Sequence, residues 1–313
     1  MNLPDPSAVT RTAILGTGLI GASWAALFLS RGLHVHAIDP AESAETRLRD
    51  TVTEMWPNLV ALGHADAPPD FAKLTFAAAP GAELAEVELV QENAPEKLDL
   101  KRALLSEIEA WLSPSAVIAS STSALLIGDI QSQARHPGRC IAAHPFNPPH
   151  ILPLVELSGG PETDDAVLDW AMSFYVAMGK KPVRLRRQIE GHIAGRLGAA
   201  MWREAVSLVE LGVASVADID AAVRFGPGPR WAVAGCHMVY HMGGGAGGIG
   251  HYLAHLGDSQ ERRWSSLGTP RLDATLRDRI TKGVEEEAGQ CSVAELAAER
   301  DRRLVEMLRL VGE

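Results

Sequence analysis

Thr12-Ala13-Ile14-Leu15-Gly16-Thr17-Gly18-Leu19-Ile20-Gly21-Ala22 is the stretch from which the rest of the chain can be read. An apolar run leads into three glycines spaced G-x-G-x-x-G, and Ala22–Arg31 continues as a helix. A strand, a tight turn and a helix in that order are the context in which this pattern carries meaning. Gly16 permits the turn, Gly18 keeps side chains out of a ligand's path, and Gly21 lets helix and strand pack closely. Free N–H groups and the dipole at the helix start favour negative charge, so the loop, Leu19 and Ile20 included, is expected to hold a diphosphate. Asp39 closes the next apolar run, about 20 residues on, where a carboxylate accepts ribose hydroxyls. It would also repel the extra phosphate of NADP, so NAD is the expected cofactor.

Working outward, short apolar runs alternate with helical segments up to about Arg184. The expected strands are Thr12–Leu15, Val35–Ile38, Val87–Gln91, Val117–Ser120, Cys140–Ala143, Pro153–Leu157 and Pro182–Leu185. Such alternation marks βαβ units on a largely parallel sheet. After Gln188 strand signals stop, and His192–Gly212, Val216–Phe225, Trp231–Met242, Leu272–Ala288 and Val293–Val311 read as helices. The fold class is therefore α/β: a Rossmann-type dinucleotide-binding domain over residues 1–187, followed by an all-helical domain over 188–313. The glycine-rich Gly243–Gly250 has no strand before it and reads as a loop between helices.

Composition excludes several classes. The 313 residues carry a net charge of −10, which disfavours the clustered cations that nucleic-acid binding needs. No apolar run is long enough to span a membrane, and the Asp- and Pro-bearing start does not read as a signal peptide. Cys140, Cys236 and Cys291 are far apart and lack metal-ligand spacing, so no metal is expected; they read as thiols of a reducing compartment, the cytoplasm.

Three further segments follow the glycine loop in order: Glu92-Asn93-Ala94-Pro95-Glu96-Lys97 running on to Lys101, Ser120-Ser121-Thr122-Ser123, and His144-Pro145-Phe146-Asn147-Pro148 with Leu154-Val155-Glu156-Leu157. Together they resemble the 3-hydroxyacyl-CoA dehydrogenase family over nearly the whole chain. The resemblance implies that His144 is a general base and that Glu156 holds its other nitrogen. It places Ser123 and Asn147 beside the substrate oxygen and the nicotinamide, and Glu92 and Lys101 near the nicotinamide end of the cofactor. The chemistry is consistent: an imidazole titrating near neutrality can take a hydroxyl proton, and a carboxylate behind it sets the tautomer. Loss of that carboxylate is expected to cost less rate than loss of the imidazole. The resemblance also implies a homodimer, for which Val293–Val311 offers apolar positions.

Two features depart from enzymes acting on CoA thioesters. Those enzymes carry a Lys-rich arm after the second strand, whereas residues 41–72 here hold six carboxylates against Arg47 and Arg49. Gly195 stands where they have a substrate-binding Asn. The C-terminal half is instead most similar to the carnitine dehydrogenase branch, through Trp202-Arg203-Glu204-Ala205, Gly228-Pro229-Arg230-Trp231-Ala232, Tyr240 and Gly248-Ile249-Gly250-His251-Tyr252. That branch commonly has an acidic residue at position 195, so Gly195 departs from it too. The expected substrate is a free 3-hydroxy acid, carnitine or a carnitine-like acid. Gly195, Trp202, Trp231 and Tyr240 are candidates for its cationic end and Arg230 for its carboxylate. A 3-hydroxyacyl-CoA, a gulonate-type sugar acid and a non-catalytic NAD-binding structural role are the alternatives.

Overall fold

The computed structural model describes residues 3–311. The chain divides into two compact units, with the division between Gly195 and Arg196.

The first unit is built on eight strands: β1 (Arg11–Leu15), β2 (His34–Ile38), β3 (Leu74–Ala77), β4 (Leu89–Glu92), β5 (Val117–Ser120), β6 (Cys140–Pro145), β7 (Leu154–Gly159) and β8 (Lys181–Arg184). They lie in the order β3-β2-β1-β4-β5-β6-β7-β8. Every pairing is parallel except β6 with β7. Because β1 has β2 on one side and β4 on the other, the order reverses there, and a crevice opens beyond the strands' carboxyl ends.

Helices cover both faces of the sheet. On one side lie α1 (Leu19–Ser30), α2 (Ala44–Ala61) and, later in the chain, the helix Asp165–Ala177. Residues 21–29 of α1 are all buried, which explains why that helix is apolar all round rather than striped. Trp24 and Phe28 stack at 5.4 Å, and Trp24 meets Tyr175 at 5.5 Å. The opposite face holds α3 (Leu98–Ile108) and α4 (Ile127–Gln131) over a second apolar cluster. Asp165–Ala177 is α5.

Two strand expectations change. Leu74–Ala77 adds an eighth strand, too short and too close to the following Ala-Pro-Gly run to stand out in the sequence. The β6–β7 pair turns back on itself, and that reversal bears on the chemistry described below.

The second unit, described by itself, is helical throughout. After α6 (Ala194–Glu210), whose first turn contains the division, come α7 (Val216–Phe225), α8 (Pro227–Gly243), α9 (Gly248–Ser266), α10 (Ala274–Ala288) and α11 (Val293–Val311). Ser215 and Asp273 cap α7 and α10, accepting from the N–H groups of Asp218 and Leu276. The glycine-rich run is a short 3-10 turn, Gly245–Gly247, and α9 starts inside it, a helix the sequence reading did not place.

Candidate active site

The glycine loop leaves β1 and enters α1. At Gly16, φ is +81°, and an added Cβ would sit 2.9 Å from the Asn93 carbonyl oxygen. At Gly21 it would meet the Gly16 carbonyl at 1.9 Å. Both positions are closed to any side chain, whereas the space beside Gly18 is open. An open approach at the start of a helix, flanked by two glycines that hold the turn, fits a dinucleotide diphosphate.

Asp39 follows β2 directly. Its carboxylate accepts from Thr17 N–H at 2.8 Å, Thr17 hydroxyl at 3.0 Å and Ala41 N–H at 2.9 Å. Partial burial opposes ionisation, but these bonds and nearby Arg47 outweigh it and hold the carboxyl below its ordinary range. The anion therefore stands beside the glycine loop throughout the neutral range.

The antiparallel return of β7 along β6 places Glu156 directly across from His144. This register converts a separation along the chain into a contact: His144 Nδ1 lies 3.1 Å from Glu156 Oε2. The other carboxylate oxygen accepts from the N–H groups of Ile193 and Ala194, at 2.8 and 2.9 Å, where α6 begins. Burial works against the Glu156 charge most strongly. The bonds from His144, Ala194 and Ile193 prevail and lower its pKa. Because a carboxylate only accepts, Nδ1 carries the proton, and the lone pair belongs to Nε2 on the opposite edge of the ring.

His144 lines a cavity of 480 Å³ together with Ile20, Ser121, Ser123, Pro145, Phe146, Asn147, Gly191 and Gly195. Four residues singled out from sequence, Ser123, His144, Asn147 and Gly195, thus share one wall with Ile20 of the glycine loop. A Cβ at Gly195 would meet nothing within 4 Å, so this position leaves room.

Glu92 and Lys101 do not line that cavity. They form a buried ion pair, Nζ to Oε1 at 2.8 Å. Glu92 also receives the Ser120 hydroxyl and Ala94 N–H, and Lys101 reaches the Ala94 carbonyl at 3.0 Å and Glu96 at 3.4 Å. Glu96, which sequence reasoning passed over, gathers the Thr122 hydroxyl and the N–H groups of Ser123, Ala124 and Leu125. One carboxylate thus holds the loop that presents Ser123. The only prior signal was a Glu in a loop facing a Ser/Thr cluster.

The loop carrying Asn147 is clamped in a similar way. The Ser23 hydroxyl lies 2.8 Å from His150 Nδ1 and accepts from the His150 backbone N–H at 2.7 Å. Lys180 donates to the carbonyls of Pro149 and Leu152. Burial, aided by nearby Arg31, pushes the Lys180 amine down to about 7. Nothing in the sequence marked these residues.

On the second unit, Trp202, Arg230, Trp231 and Tyr240 are all exposed. Among the described residues no ring contact joins the three aromatics to one another. Tyr240 packs against Tyr252, with centroids 5.1 Å apart.

Comparison with known proteins bears directly on this geometry. Residues 11–189 match the NAD binding domain of 3-hydroxyacyl-CoA dehydrogenase, and residues 191–284 match the C-terminal domain of the same enzyme. An L-carnitine dehydrogenase of Streptomyces griseus is 46% identical over 98% of this chain and 91% of its own length. One from Streptomyces coelicolor is 46% identical over 99% and 97%. Among solved structures, a 5-formyl-3-hydroxy-2-methylpyridine 4-carboxylic acid 5-dehydrogenase, an NAD+-dependent dismutase, superposes with a TM-score of 0.82 at 27% identity. That match covers 97% of this chain and 98% of the other. The glycine loop, the His–Glu pair and the helical second unit therefore have one common explanation: the chain belongs to the 3-hydroxyacyl-CoA dehydrogenase family and is an NAD-dependent oxidoreductase of 3-hydroxy acids.

Proposed function

We propose that the substrate is a free 3-hydroxy acid, L-carnitine or a carnitine-like acid, and that His144 removes its hydroxyl proton. The observation that carries this reading is the His144–Glu156 pair on the wall of a cavity shared with Ser123, Asn147 and Ile20. NAD, when bound, supplies the hydride acceptor. His144 Nε2 takes the proton, Glu156 holds the ring and balances the imidazolium that forms, and Ser123 and Asn147 orient the oxygen. Glu92, Lys101 and Glu96 act through the loops they hold. Asp39 selects NAD over NADP.

A free acid is favoured over a CoA thioester by the arm that follows β2. Its two cations are already engaged, Arg49 with Glu45 at 2.7 Å and Arg47 with the Glu42 carbonyl at 2.7 Å. An acidic surface with its cations paired repels the CoA phosphates. The names of the relatives support the same choice.

The second unit serves, in this reading, for substrate selection and for pairing with a second copy. Its exposed Trp202, Trp231 and Tyr240 suit a trimethylammonium group, which has no hydrogen-bond donor and is drawn to aromatic faces; Arg230 suits a carboxylate. The homodimer rests on what that unit leaves uncovered. Among its described residues Val206, Ile219, Val239, Leu276 and Val305 are the buried apolar side chains, while Phe225 is 79% exposed and Leu310 87%. A helical unit with so small a core is expected to gain its missing burial from a partner. The cytoplasm is the setting we propose, supported by three free cysteines. No helix among the described residues is long and apolar enough to cross a membrane.

NADH formation with L-carnitine, 3-hydroxybutyrate, L-gulonate and 3-hydroxybutyryl-CoA in parallel tests the substrate. Turnover confined to the CoA thioester overturns the reading.

A further inference from the structure

His192 lies close before Gly195 in the chain and was given no role from the sequence, yet its ring meets that of the base. Its ring stacks on His144 with centroids 4.6 Å apart and planes 9° from parallel. Its backbone is left-handed, with φ +50°, directly after Gly191 at +75°. A non-glycine residue in that region is uncommon and persists where its surroundings hold it. The side chain is buried, and its Nε2 lies 3.0 Å from the Thr122 carbonyl oxygen. A carbonyl only accepts, so Nε2 carries the proton. The other nitrogen, Nδ1, is buried with no hydrogen-bond partner among the described residues.

A second proton would have to go on Nδ1, which is shut away from solvent with no acceptor facing it among the described residues. The ring is therefore kept neutral. Around it stand His144 on β6, Glu156 on β7, Glu96 ahead of α3, and the Thr122 carbonyl after β5. Burial is the main influence lowering the His192 pKa, and His144 acts in the same direction.

We propose that His192 is a positioning residue for His144: a neutral, plane-parallel ring that fixes the imidazole's orientation and offers it a π face when it takes the substrate's proton. The proposal rests on His144 being the base. Glu156 holds the edge of that ring and sets its tautomer, but a single contact at Nδ1 leaves rotation about the Nδ1–Oε2 direction open. The stacked His192 face closes that rotation. A charged His192 at this distance would instead resist every protonation of His144.

The hydrogen bond to Thr122 and the stack on His144 can be separated by substitution. His192→Phe keeps an aromatic face and loses the donor; His192→Gln keeps a donor for the Thr122 carbonyl and loses the face. With L-carnitine as substrate, we expect kcat of the Gln variant to fall about tenfold, since one desolvated cation–π contact is lost. Its KM for NAD and its melting temperature should hold. The Phe variant should stay within about threefold of native kcat. His192→Tyr makes the same comparison if the Phe variant is not recovered folded. The proposal is overturned if the Gln variant outperforms the aromatic one, which would make the Thr122 bond the important contact, or if the two variants match. His144→Gln, assayed alongside, keeps the two readings apart. If it retains turnover, the assignment of the base itself fails; if it is inactive while the His192 variants match, only the positioning role fails.

Discussion

Glu156→Gln is the substitution for which the geometry makes the most specific demand. Oε1 already accepts two N–H groups, from Ile193 and Ala194, and Oε2 faces His144 Nδ1. A glutamine has one oxygen, and two fixed donors claim it. Its NH2 group must then face Nδ1, which can no longer carry a proton. The proton moves to Nε2, and the lone pair that should receive the substrate's hydrogen is gone. The charge is lost as well. At 3.1 Å and an effective dielectric constant near 20, an imidazolium and a carboxylate attract by about 5 kcal/mol. At about 1.4 kcal/mol per tenfold, that corresponds to between three and four powers of ten in rate. This revises the expectation drawn from the sequence, that losing Glu156 would cost less than losing His144 because it orients the base rather than being the base. Steady-state NADH formation measures kcat, and fluorescence titration with NADH checks that the cofactor loop is intact. A kcat within tenfold of native, with folding and NADH affinity preserved, would refute the tautomer argument.

Four other outcomes are expected. Asp39→Ala should raise kcat/KM with NADP relative to NAD by about tenfold or more, read from parallel titrations of the two cofactors, because it removes an anion beside the 2′ position; no change in the ratio counts against Asp39. Native stability should climb between about pH 7 and pH 10, because Lys180 releases its proton near 7 when folded and only near 10.4 when unfolded. The unfolded chain binds more protons across that window, and urea midpoints of Lys180→Met should lose this part of the slope. Trp231→Leu and Trp202→Leu should lower turnover of L-carnitine while leaving melting temperature and NADH affinity in place; a fall in melting temperature with turnover per folded molecule unchanged would make these side chains packing residues. Sedimentation at micromolar concentration should give a dimer, and a monomer there would remove the pairing role of the second unit.

Much of this molecule is legible in its sequence. The glycine loop was readable because its three glycines answer to local sterics, and the strands because buried parallel strands are short apolar runs. The change from alternating strands to helices alone was readable because helical periodicity replaces those runs, although the division was read after residue 187 and the compact units part between Gly195 and Arg196. His144 and Glu156 were paired through the resemblance to a known family, and the antiparallel return between adjacent strands is what turns their separation along the chain into a contact. Leu74–Ala77 was missed because a short edge strand has little burial to mark it, and α9 because its glycine-rich start argues against a helix.

What only the tertiary structure decided lies in contacts between residues that no local rule connects. The resemblance put Lys101 and Glu92 near the nicotinamide end of the cofactor, and folding closes them on each other where solvent is excluded. Glu96 and the Thr122–Leu125 loop lie in two different βα connections at the same end of the sheet, brought together because β4 and β5 are parallel neighbours. His192 reaches Thr122 across 70 residues and stacks on His144 only because the chain leaves β8 in a left-handed turn. The sequence by itself determined which chemistry the chain carries, since residue types and their strand register set that. Folding decided which nitrogen bears each proton and which face each ring presents, because those depend on the partners that distant segments supply.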